Sequence, residues 1–344
     1  MNYDLLYKLL KTPSPSGHEL EIQKLIIEEM KDISQCCYKQ QNLNVINGIN
    51  PESNVKILLS GHIDEISLII EKINDDGTCK VIKNGGIRPY AYTSQHVNVY
   101  TKNGLVPGVI GYLSDPKKDC MDVESLILDL GTYSKEETEK IVSVGDPVIH
   151  YNDYRLLNEN ILAARALDDR LGAFIALETL KRVKEKKTKN GVYVSTTVGE
   201  ETTGRGAKSA VNLIKPTCAL IVDVTYANDV KHLEKCSGEV SLNKGPVLTY
   251  GSLMNRKMHE MMVELCKKNN IKMQFDLSPS LTYTDTDDMF SSYDGIPCYL
   301  VSIPLRYMHS SVEVCDLRDV EKIIELFTEF ILNFDENTSL DPFN

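Results

Sequence analysis

The sequence predicts an α/β protein in which a central mixed sheet is covered by helices and a small, barrel-like β domain is inserted. After residue 161, apolar strand-like runs alternate with helical patterns, which is typical of such a sheet. Residues 72–161 instead contain short strand-like segments between Gly- and Pro-containing turn signals, with little helical periodicity. The strand before this segment ends in the same kind of residues as the strands after it. Residues 1–71 and 162–344 are therefore predicted to form one catalytic domain, with residues 72–161 as the insertion.

The N-terminal segment predicts two helices and two strands. The first helix ends at about Lys11 and is followed by a loop rich in Pro, Gly and Ser at residues 12–17. The second helix begins at about His18, since apolar residues recur there at helical spacing. Residues 55–60 and 66–73 are apolar and predict strands.

The inserted segment predicts strands and little chemistry. Residues 96–100 and 105–110 are its clearest strands, and residues 134–142 predict one short helix. His96 and His150 each stand alone in the sequence, so structural roles are predicted for both. No cluster of catalytic side chains is found in this segment.

The segment after residue 161 predicts the remaining elements of the main domain. Val- and Thr-rich runs such as residues 191–198 suit buried positions in a sheet. The strands are expected at residues 191–198, 218–223 and 298–302, and the helices at about residues 168–186, 205–214, 254–269 and 317–334.

Composition and charge argue against several classes of function. The 344 residues are 42% apolar and 25% charged, and no apolar run approaches the roughly 20 residues that a membrane helix needs. A formal net charge of −11 opposes binding to nucleic acid and to anionic membranes. The start of the chain lacks the features of a signal peptide. The nine cysteines include no Cys-x-x-Cys pair, which indicates reduced thiols in a cytoplasmic protein.

Histidine and carboxylate side chains recur where the predicted strands of the main domain end. The most informative is the pair Glu200-Glu201, which follows a buried strand and Gly199. Two negative charges at the mouth of a buried strand repel each other and resist desolvation, so a positive partner is expected. Ligands of an open α/β sheet bind beyond the carboxyl ends of its strands, so these positions are predicted to converge. The comparable positions are His62 with Asp64, Asp223, His309 and, at a helix N-terminus, Asp168-Asp169.

This set of residue types indicates a metal centre. Histidine and carboxylate ligands without cysteine suit zinc, cobalt or manganese in a hydrolytic site. Two metals roughly 3.5–4 Å apart need a bridging carboxylate and about two terminal ligands for each ion. Two divalent ions would bring four positive charges against three ligand carboxylates, and a bridging hydroxide would balance the remainder. The residues that match this need in number and kind are His62, Asp168, Glu201, Asp223 and His309.

Each of these residues also has an ordinary structural explanation when it is taken alone. A His-x-Asp triplet is common, Asp168 is suited to cap a helix, and Asp223 is suited to cap a loop. A Glu-Glu pair in a surface loop is usually solvated charge. The coincidence of all of them at strand ends favours the metal centre. The acidic run at residues 285–288 lacks the glycine that a calcium loop requires.

The segments that carry these residues resemble the M42 family of metallo-aminopeptidases, relatives of glutamyl and leucyl aminopeptidases that assemble into hollow tetrahedral particles. They follow the family's order and span nearly the whole chain. The family's usual Gly-Thr-Asp appears here as Tyr283-Thr-Asp285, a departure on the substrate side. The matching segments are Gly61-His-Ile-Asp-Glu-Ile66, Ala166-Leu-Asp-Asp-Arg-Leu-Gly172, Gly199-Glu-Glu201, Val222-Asp-Val-Thr225 and Arg306-Tyr-Met-His-Ser310.

The resemblance implies a zinc-peptidase-like fold and a role for each residue of the site. Glu200 would be the general base, and Asp64 would orient His62, as metal-bound histidines require. A frayed strand end is expected to let Glu200 and Glu201 turn toward one cleft. The implied ligands are His62 and Asp223 for one metal, Glu201 and His309 for the other, and Asp168 as the bridge.

The resemblance also implies partners. The expected metals are two divalent ions per subunit, zinc first, with cobalt or manganese as alternatives. The expected substrates are peptides with a free N-terminus, and the expected assembly is a homo-oligomer, a dodecamer. The sequence does not specify which first residue is preferred.

The residues leave three other functions open. Another amide hydrolase on the same metal platform would accept a blocked amino group or demand a free carboxylate. A glycosidase would use two carboxylates and generally needs no metal, so its activity would survive chelation. A non-catalytic scaffold with a relict site is the third, and the complete set of ligand types argues against it.

Overall fold

The fold is built on a mixed sheet and a closed barrel. The computed structural model describes residues 1–112, 122–151, 153–230 and 238–343, and two of the cysteines, Cys120 and Cys236, lie outside them. In chain order the described strands are β1 (Cys36–Lys39), β2 (Val45–Ile49), β3 (Lys56–His62), β4 (Ser67–Ile73), β5 (Cys79–Asn84), β6 (His96–Thr101), β7 (Gly104–Tyr112), β8 (Leu126–Asp129), β9 (Pro147–His150), β10 (Tyr154–Leu156), β11 (Ile161–Ala164), β12 (Gly191–Thr197), β13 (Cys218–Tyr226), β14 (Val247–Gly251), β15 (Gln274–Ser278), β16 (Cys298–Leu305) and β17 (Glu313–Asp316).

The described helices range from single turns to the nineteen residues of the longest. In chain order they are α1 (Asp4–Lys11), α2 (Leu20–Met30), α3 (Pro89–Tyr92), α4 (Lys135–Thr138), α5 (Leu167–Glu185), α6 (Glu200–Thr203), α7 (Arg205–Ile214), α8 (Arg256–Lys268), α9 (Asp285–Phe290) and α10 (Leu317–Asn333). None of these helices is both long enough and apolar enough to cross a bilayer.

The central sheet places four parallel strands side by side. Its order is β1-β2-β12-β3-β13-β16-β14-β15, and β12, β3, β13 and β16 run parallel to one another. β2 and β14 run antiparallel to their neighbours in these four, so the sheet is mixed. Every residue of β12 and β16 is buried, which requires that helices or loops cover both faces of the sheet. The carboxyl ends of the four strands therefore meet at one edge.

The contact between α5 and β3 brings the helix start close to that edge. A Cβ atom on Gly61 would lie 2.5 Å from the carbonyl carbon of Gly172 and 2.6 Å from the backbone nitrogen of Ala173. Only glycine permits this approach, because real Cβ atoms do not come so near to a backbone. Since Gly61 precedes His62, the last residue of β3, this packing sets the start of α5 beside that histidine.

The second unit is a closed barrel with its own apolar core. Its strands follow the order β4-β5-β8-β7-β6-β9, and β9 pairs back with β4. Val99, Ile70 and Leu128 are among its fully buried side chains. His150 is also buried, and its ring stacks on that of Tyr92 with 3.7 Å between the centroids.

The strand bounds refine the expected division of the chain. The predicted boundary at residue 72 falls within β4, which is a barrel strand from Ser67 onward. β10 pairs with β11, and β11 pairs with β17 rather than with the barrel, although β10 lies in the predicted insertion. The assignment of residues 72–161 to a separate domain stays a prediction.

A buried ionic cluster ties the N-terminal loop to the start of α5. Glu65, in the link between β3 and β4, accepts hydrogen bonds from the guanidinium groups of Arg165 and, at 2.9 Å, Arg170. The same carboxylate accepts the backbone N–H of Ser14 at 2.9 Å. Removing one partner of a buried pair leaves an uncompensated charge, so the cluster holds these three segments together firmly.

The predicted fold class is confirmed: a mixed sheet, covering helices and a closed six-stranded barrel are all present. Several strands outside the barrel were not predicted, among them β1, β2, β14, β15 and β17. β2 contains an Asn-Gly pair, which reads as a turn in the sequence, but Gly48 is needed there because a Cβ atom would lie 2.6 Å from the Tyr193 ring. The predicted helix at residues 134–142 is shorter than expected, since α4 ends at Thr138.

Candidate metal centre

The five predicted ligands lie at the carboxyl edge of the parallel strands. The sheet and the helix start thus bring together residues that are far apart in the chain. His62 ends β3, Asp223 lies in β13, Glu201 follows β12, His309 follows β16, and Asp168 lies at the start of α5.

Asp168 lies between two imidazole rings. Its Oδ1 is 3.0 Å from Nε2 of His62, and its Oδ2 is 3.2 Å from Nε2 of His309. Its backbone is extended rather than helical, with φ −77° and ψ 107°, although α5 begins one residue earlier. Each carboxylate oxygen therefore faces a different histidine, as expected of a carboxylate that two cations share.

Two groups of potential ligand atoms share His62. In one, atoms of His62, Asp168 and Glu201 lie within 4.8 Å of one another, and in the other the atoms belong to His62, Asp169 and Asp223. The described residues therefore contain a possible His/carboxylate metal site. The donor types fit zinc, cobalt or manganese, because no cysteine is among them and nitrogen and oxygen donors are mixed.

His309 lies next to the first of these groups, although it is not one of its members. Its Nε2 lies 3.5 Å from Oε2 of Glu201. Its other ring nitrogen, Nδ1, lies 2.9 Å from the backbone oxygen of Gly86, in the link between the barrel strand β5 and α3. The barrel thus orients this histidine, as an outer hydrogen bond commonly does for metal-bound imidazole.

Asp223 does not close its strand, and that expectation was wrong. β13 continues to Tyr226, because it goes on pairing with β16. However, β13 pairs with β3 only as far as Ile221, so Asp223 lies beyond the part of β13 that is paired with β3. The side chain consequently still reaches the edge where His62 lies.

Asp169 is a residue to which the sequence assigned no role. It is fully buried, and its Oδ1 accepts the backbone N–H of Gly172 at 2.9 Å. Its Oδ2 has no hydrogen-bond partner among the described residues. The only signal in the sequence was its position next to Asp168.

Asp64 contacts three parts of the site. Its two oxygens accept the backbone N–H groups of Glu200 at 3.1 Å and Glu201 at 3.3 Å, and the Ser16 hydroxyl donates to it at 2.6 Å. The Nδ1 of His62 lies 3.5 Å from the Asp64 carboxylate and closer, 3.2 Å, to its backbone oxygen. Burial opposes ionisation of Asp64, but the hydrogen bonds from His62 and Ser16 hold its pKa below the usual value.

The Glu200-Glu201 pair lies in a short helix, and the expected frayed strand end was wrong. β12 ends at Thr197, Gly199 adopts φ 67°, and α6 begins at Glu200. The helix starts there because the Asp64 carboxylate accepts its first two N–H groups, as a capping residue does. Both glutamates line one cavity, and Oε2 of Glu200 lies 3.8 Å from Nε2 of His62.

Crowding of buried carboxylates shifts their protonation. Burial and the nearby Asp223 raise the pKa of Glu200 to about 10, although His62 opposes this. Burial likewise raises the pKa of Asp223 to about 8. For His309, burial is outweighed by the hydrogen bond to Asp168 and the charge of Glu201, which raise its pKa to about 10. Without cations, these groups therefore hold protons at neutral pH.

Glu313 is a second residue that the sequence did not single out. Its Oε1 accepts the backbone N–H of His309 at 2.8 Å, and its Oε2 accepts that of Asp168 at 3.2 Å. Burial and the nearby Asp168 raise its pKa to about 8, whereas the two N–H donors favour the ionised form. Two amide hydrogens directed at two oxygens require two acceptors, which the ionised carboxylate supplies.

The loop that replaces the family's Gly-Thr-Asp is held by its own side chains. Tyr283 has φ 55°, a backbone conformation that glycine adopts more readily. Asp287 accepts the N–H groups of Thr282 at 2.8 Å and Tyr283 at 2.9 Å, which stabilises this turn. Asp285 is buried and accepts the hydroxyls of Ser60 and Thr197. Asp285 is thus held inside the protein, whereas Asp287 is half-buried and lines the cavity.

A cavity of about 720 Å³ opens onto the candidate centre. Glu200 and His309 lie at one end of its lining, and Asp276 and Tyr283 belong to the remainder. Its size suits a short peptide or a few residues of a longer one.

An α/β sheet with histidines and carboxylates gathered at the ends of its parallel strands defines a metal-dependent hydrolase as the class of protein. The family model described as M42 glutamyl aminopeptidase matches residues 44–326. The chain therefore belongs to the M42 peptidase family, and it is an aminopeptidase, as the resemblance predicted. The lysyl aminopeptidase of Pyrococcus furiosus is 32% identical over 335 residues, which cover 95% of each chain.

Solved structures agree with this assignment. A TET aminopeptidase from the marine sediment archaeon Thaumarchaeota archaeon SCGC AB-539-E09 is 29% identical, with a TM-score of 0.91 over 97% of this chain and 96% of its own. The TET1 peptidase of Pyrococcus horikoshii, which can assemble into a tetrahedron or a large octahedral shell, is also 29% identical. Its TM-score is 0.85 over 96% of this chain and 99% of its own. The zinc-peptidase-like fold is thus confirmed.

Proposed function

We infer that the chain is a di-metal aminopeptidase that hydrolyses the first peptide bond of substrates with a free N-terminus. The single observation that carries this inference is the position of Asp168, one carboxylate between two imidazole nitrogens at the end of a large cavity. The two ligand groups that share His62 support a centre for two cations rather than one.

The residues proposed to hold the cations are those that the resemblance to the family implies. His62 and Asp223 would hold one, Glu201 and His309 the other, and Asp168 would bridge them, with Asp64 orienting His62. When bound, divalent cations would polarise the peptide carbonyl and lower the pKa of a bound water to about 7. Zinc is proposed as the resident metal, with cobalt or manganese as alternatives that the same ligands accept.

Glu200 is proposed to carry the proton. It lines the cavity 3.8 Å from His62, and it lies outside both ligand groups. Its carboxylate would take a proton from the attacking water and pass it to the departing amine. Positive charge bound beside it would lower its raised pKa toward neutrality, where a general base works best.

The proposed activity is tested with one peptide panel. Free peptides should be shortened from the N-terminus, acetylated ones should remain intact, and chelator should stop the reaction. Equal hydrolysis of acetylated peptides would favour another amide hydrolase. Cleavage of a glycoside in the presence of chelator would contradict the proposal outright.

The cavity wall beyond the metal centre is acidic, which favours a basic first residue. Asp276 and Asp288 line it, and neither forms an ion pair with another described residue. No lysine or arginine occurs among the described residues that line this cavity. Arg306, which could have met an acidic substrate, is instead paired with Asp229 at 2.7 Å. The relative named lysyl aminopeptidase points the same way.

Replacing Asp276 by asparagine is expected to lower kcat/KM for peptides that begin with lysine about tenfold, relative to peptides that begin with leucine. A charge-assisted hydrogen bond is worth about 1.5 kcal/mol, which corresponds to that factor. The Asp276 carboxylate is already held by the Thr225 hydroxyl at 3.1 Å, so it is oriented before substrate arrives. Asp32→Asn, an equal change of charge at an exposed position outside the cavity, should leave the ratio unchanged. An unaltered ratio in Asp276→Asn would disprove the assignment.

A homo-oligomer, with twelve chains of 38.7 kDa each, is also proposed for this protein. The support comes from a related structure at 29% identity and a TM-score of 0.86, which is described as a dodecamer. Light scattering distinguishes such a particle from a single chain. A cytoplasmic location stays a prediction.

A further inference from the structure

We propose that Glu313 is a positioning residue that fixes the distance between two predicted metal ligands, Asp168 and His309, by holding the backbone of both. This inference rests on the proposed di-metal function of the site. Glu313 does not line the large cavity that would receive substrate; it lines a separate small one with Asp168 and Glu201. Its role is therefore exerted through other residues rather than on the substrate.

The sheet topology brings Glu313 between the two segments. In the pairing of β17 with β11, Glu313 lies opposite Ala164, four residues before Asp168. A bridge between Arg306 and Val314 closes the loop that carries His309 over the same strand. One residue of β17 consequently lies next to the start of α5 and to the loop after β16.

Both oxygens of Glu313 are used for backbone contacts. The N–H of His309 donates to Oε1 at 2.8 Å, and the N–H of Asp168 donates to Oε2 at 3.2 Å. Neither donor has the backbone angles of a regular helix: His309 has φ 61°, and Asp168 is extended although it lies in the first turn of α5. The ladder bonds that normally fix a backbone are therefore replaced here by one side chain.

Burying the Glu313 carboxylate costs free energy that a residue serving only to fill space would not require. Glu313 is 2% exposed, and no described lysine or arginine forms an ion pair with it. The charge of His309 and two hydrogen bonds favour the ionised form of this buried carboxylate, whereas an apolar side chain would avoid the cost of burial altogether. The hydrogen bonds that Glu313 accepts from the backbone N–H groups of Asp168 and His309 explain why a carboxylate occupies this position.

The test compares Glu313→Gln with Asp319→Asn. Glutamine has the same shape but one acceptor oxygen, so its NH₂ group would face one of the two N–H groups. Asp319 offers a matched control, because it is equally buried and accepts the N–H groups of Asn243 and Gly245, both at 2.7 Å. It lies in α10, outside both ligand groups and outside the cavity.

Three quantities are measured on the whole protein: zinc affinity by calorimetric titration of the metal-free form, the visible spectrum of the cobalt form, and kcat with KM. Glu313→Gln should bind zinc about 10–100-fold more weakly, show an altered cobalt spectrum and lose kcat more than KM. Asp319→Asn should match the wild type in all three, whatever it does to the melting temperature.

Two results would overturn the proposal: wild-type zinc affinity in Glu313→Gln, or an equal loss of affinity in Asp319→Asn. If Glu313→Gln does not fold, Glu313→Asp replaces it. Aspartate keeps two acceptors on a shorter arm, so weakened zinc binding is again expected and wild-type binding again contradicts. Failure of the proposed function would look different, since the wild-type protein itself would then bind no zinc or cleave peptides without it.

Discussion

Replacement of Glu200 by glutamine is expected to lower kcat by about 10²–10⁴-fold while the metal content of the protein stays unchanged. Glutamine matches glutamate in shape but cannot accept a proton, and a positioned general base contributes a factor of this size. Metal content should persist because the side chain of Glu200 belongs to neither group of potential ligands. Metal analysis of the purified variant and steady-state kinetics on one good peptide give both quantities.

Glu201→Gln provides the contrast. Glu201 lies with His62 and Asp168 in one ligand group, and His309 lies 3.5 Å from it, so this variant should lose metal together with activity. The two neighbours are thus expected to fail in different ways. If Glu200→Gln kept most of the wild-type kcat, or if it lost metal as Glu201→Gln does, Glu200 would not be the proton carrier.

The sequence predicts the main sheet and the candidate ligands because both are local patterns. β12 and β13 are apolar, β-branched runs; Glu201 follows the end of β12, and Asp223 lies in β13 just beyond the part that pairs with β3. A sheet of parallel strands places such ends along one edge whatever its detailed packing. The convergence of Glu201 and Asp223 therefore follows from the strand pattern alone.

Residues that accept hydrogen bonds from the backbone of distant segments cannot be recognised from the sequence around them. Glu313 accepts the N–H of Asp168, which is 145 residues away in the chain. The first turn of α6 likewise depends on Asp64, 136 residues before Glu200. Glycine followed by two acids reads as a turn after a strand, and only the distant carboxylate makes it a helix. These contacts are set by tertiary packing, which a single sequence does not encode locally.

The close packing of β3 against α5 also explains why the sequence assigned no role to Asp169. The sequence places Asp168 and Asp169 together at a predicted helix start, and a ligand role was assigned to Asp168 alone. In the structure Asp168 leaves helical geometry, and Asp169 is buried against Gly172. A Cβ atom on Gly172 would clash with the Asp169 carboxylate, and the backbone of Gly172 is also where Gly61 of β3 approaches α5, so the surroundings of Asp169 depend on how the sheet and α5 pack.

Removal of the metals is expected to abolish peptidase activity and to lower the melting temperature. The site holds Asp168, Glu201 and Asp223 close together with only two histidines to offset them, and added cations would stabilise this arrangement. A ligand at 100 times its Kd stabilises the folded protein by about 2.7 kcal/mol per site. Readdition of zinc should restore both properties, with saturation at two ions per chain. Saturation at one ion with full activity would overturn the two-metal proposal.

Metal binding to the metal-free protein should also release protons. The pKa of His309 is raised to about 10 and that of Asp223 to about 8, so both groups carry protons at pH 7 until a cation displaces them. Apparent zinc affinity should therefore rise as the pH rises from about 6 to about 8, since fewer protons then compete with the cation for these groups. Calorimetric titrations in buffers of different ionisation enthalpy count the protons released. An affinity that does not change over this range would mean that cations bind groups other than these.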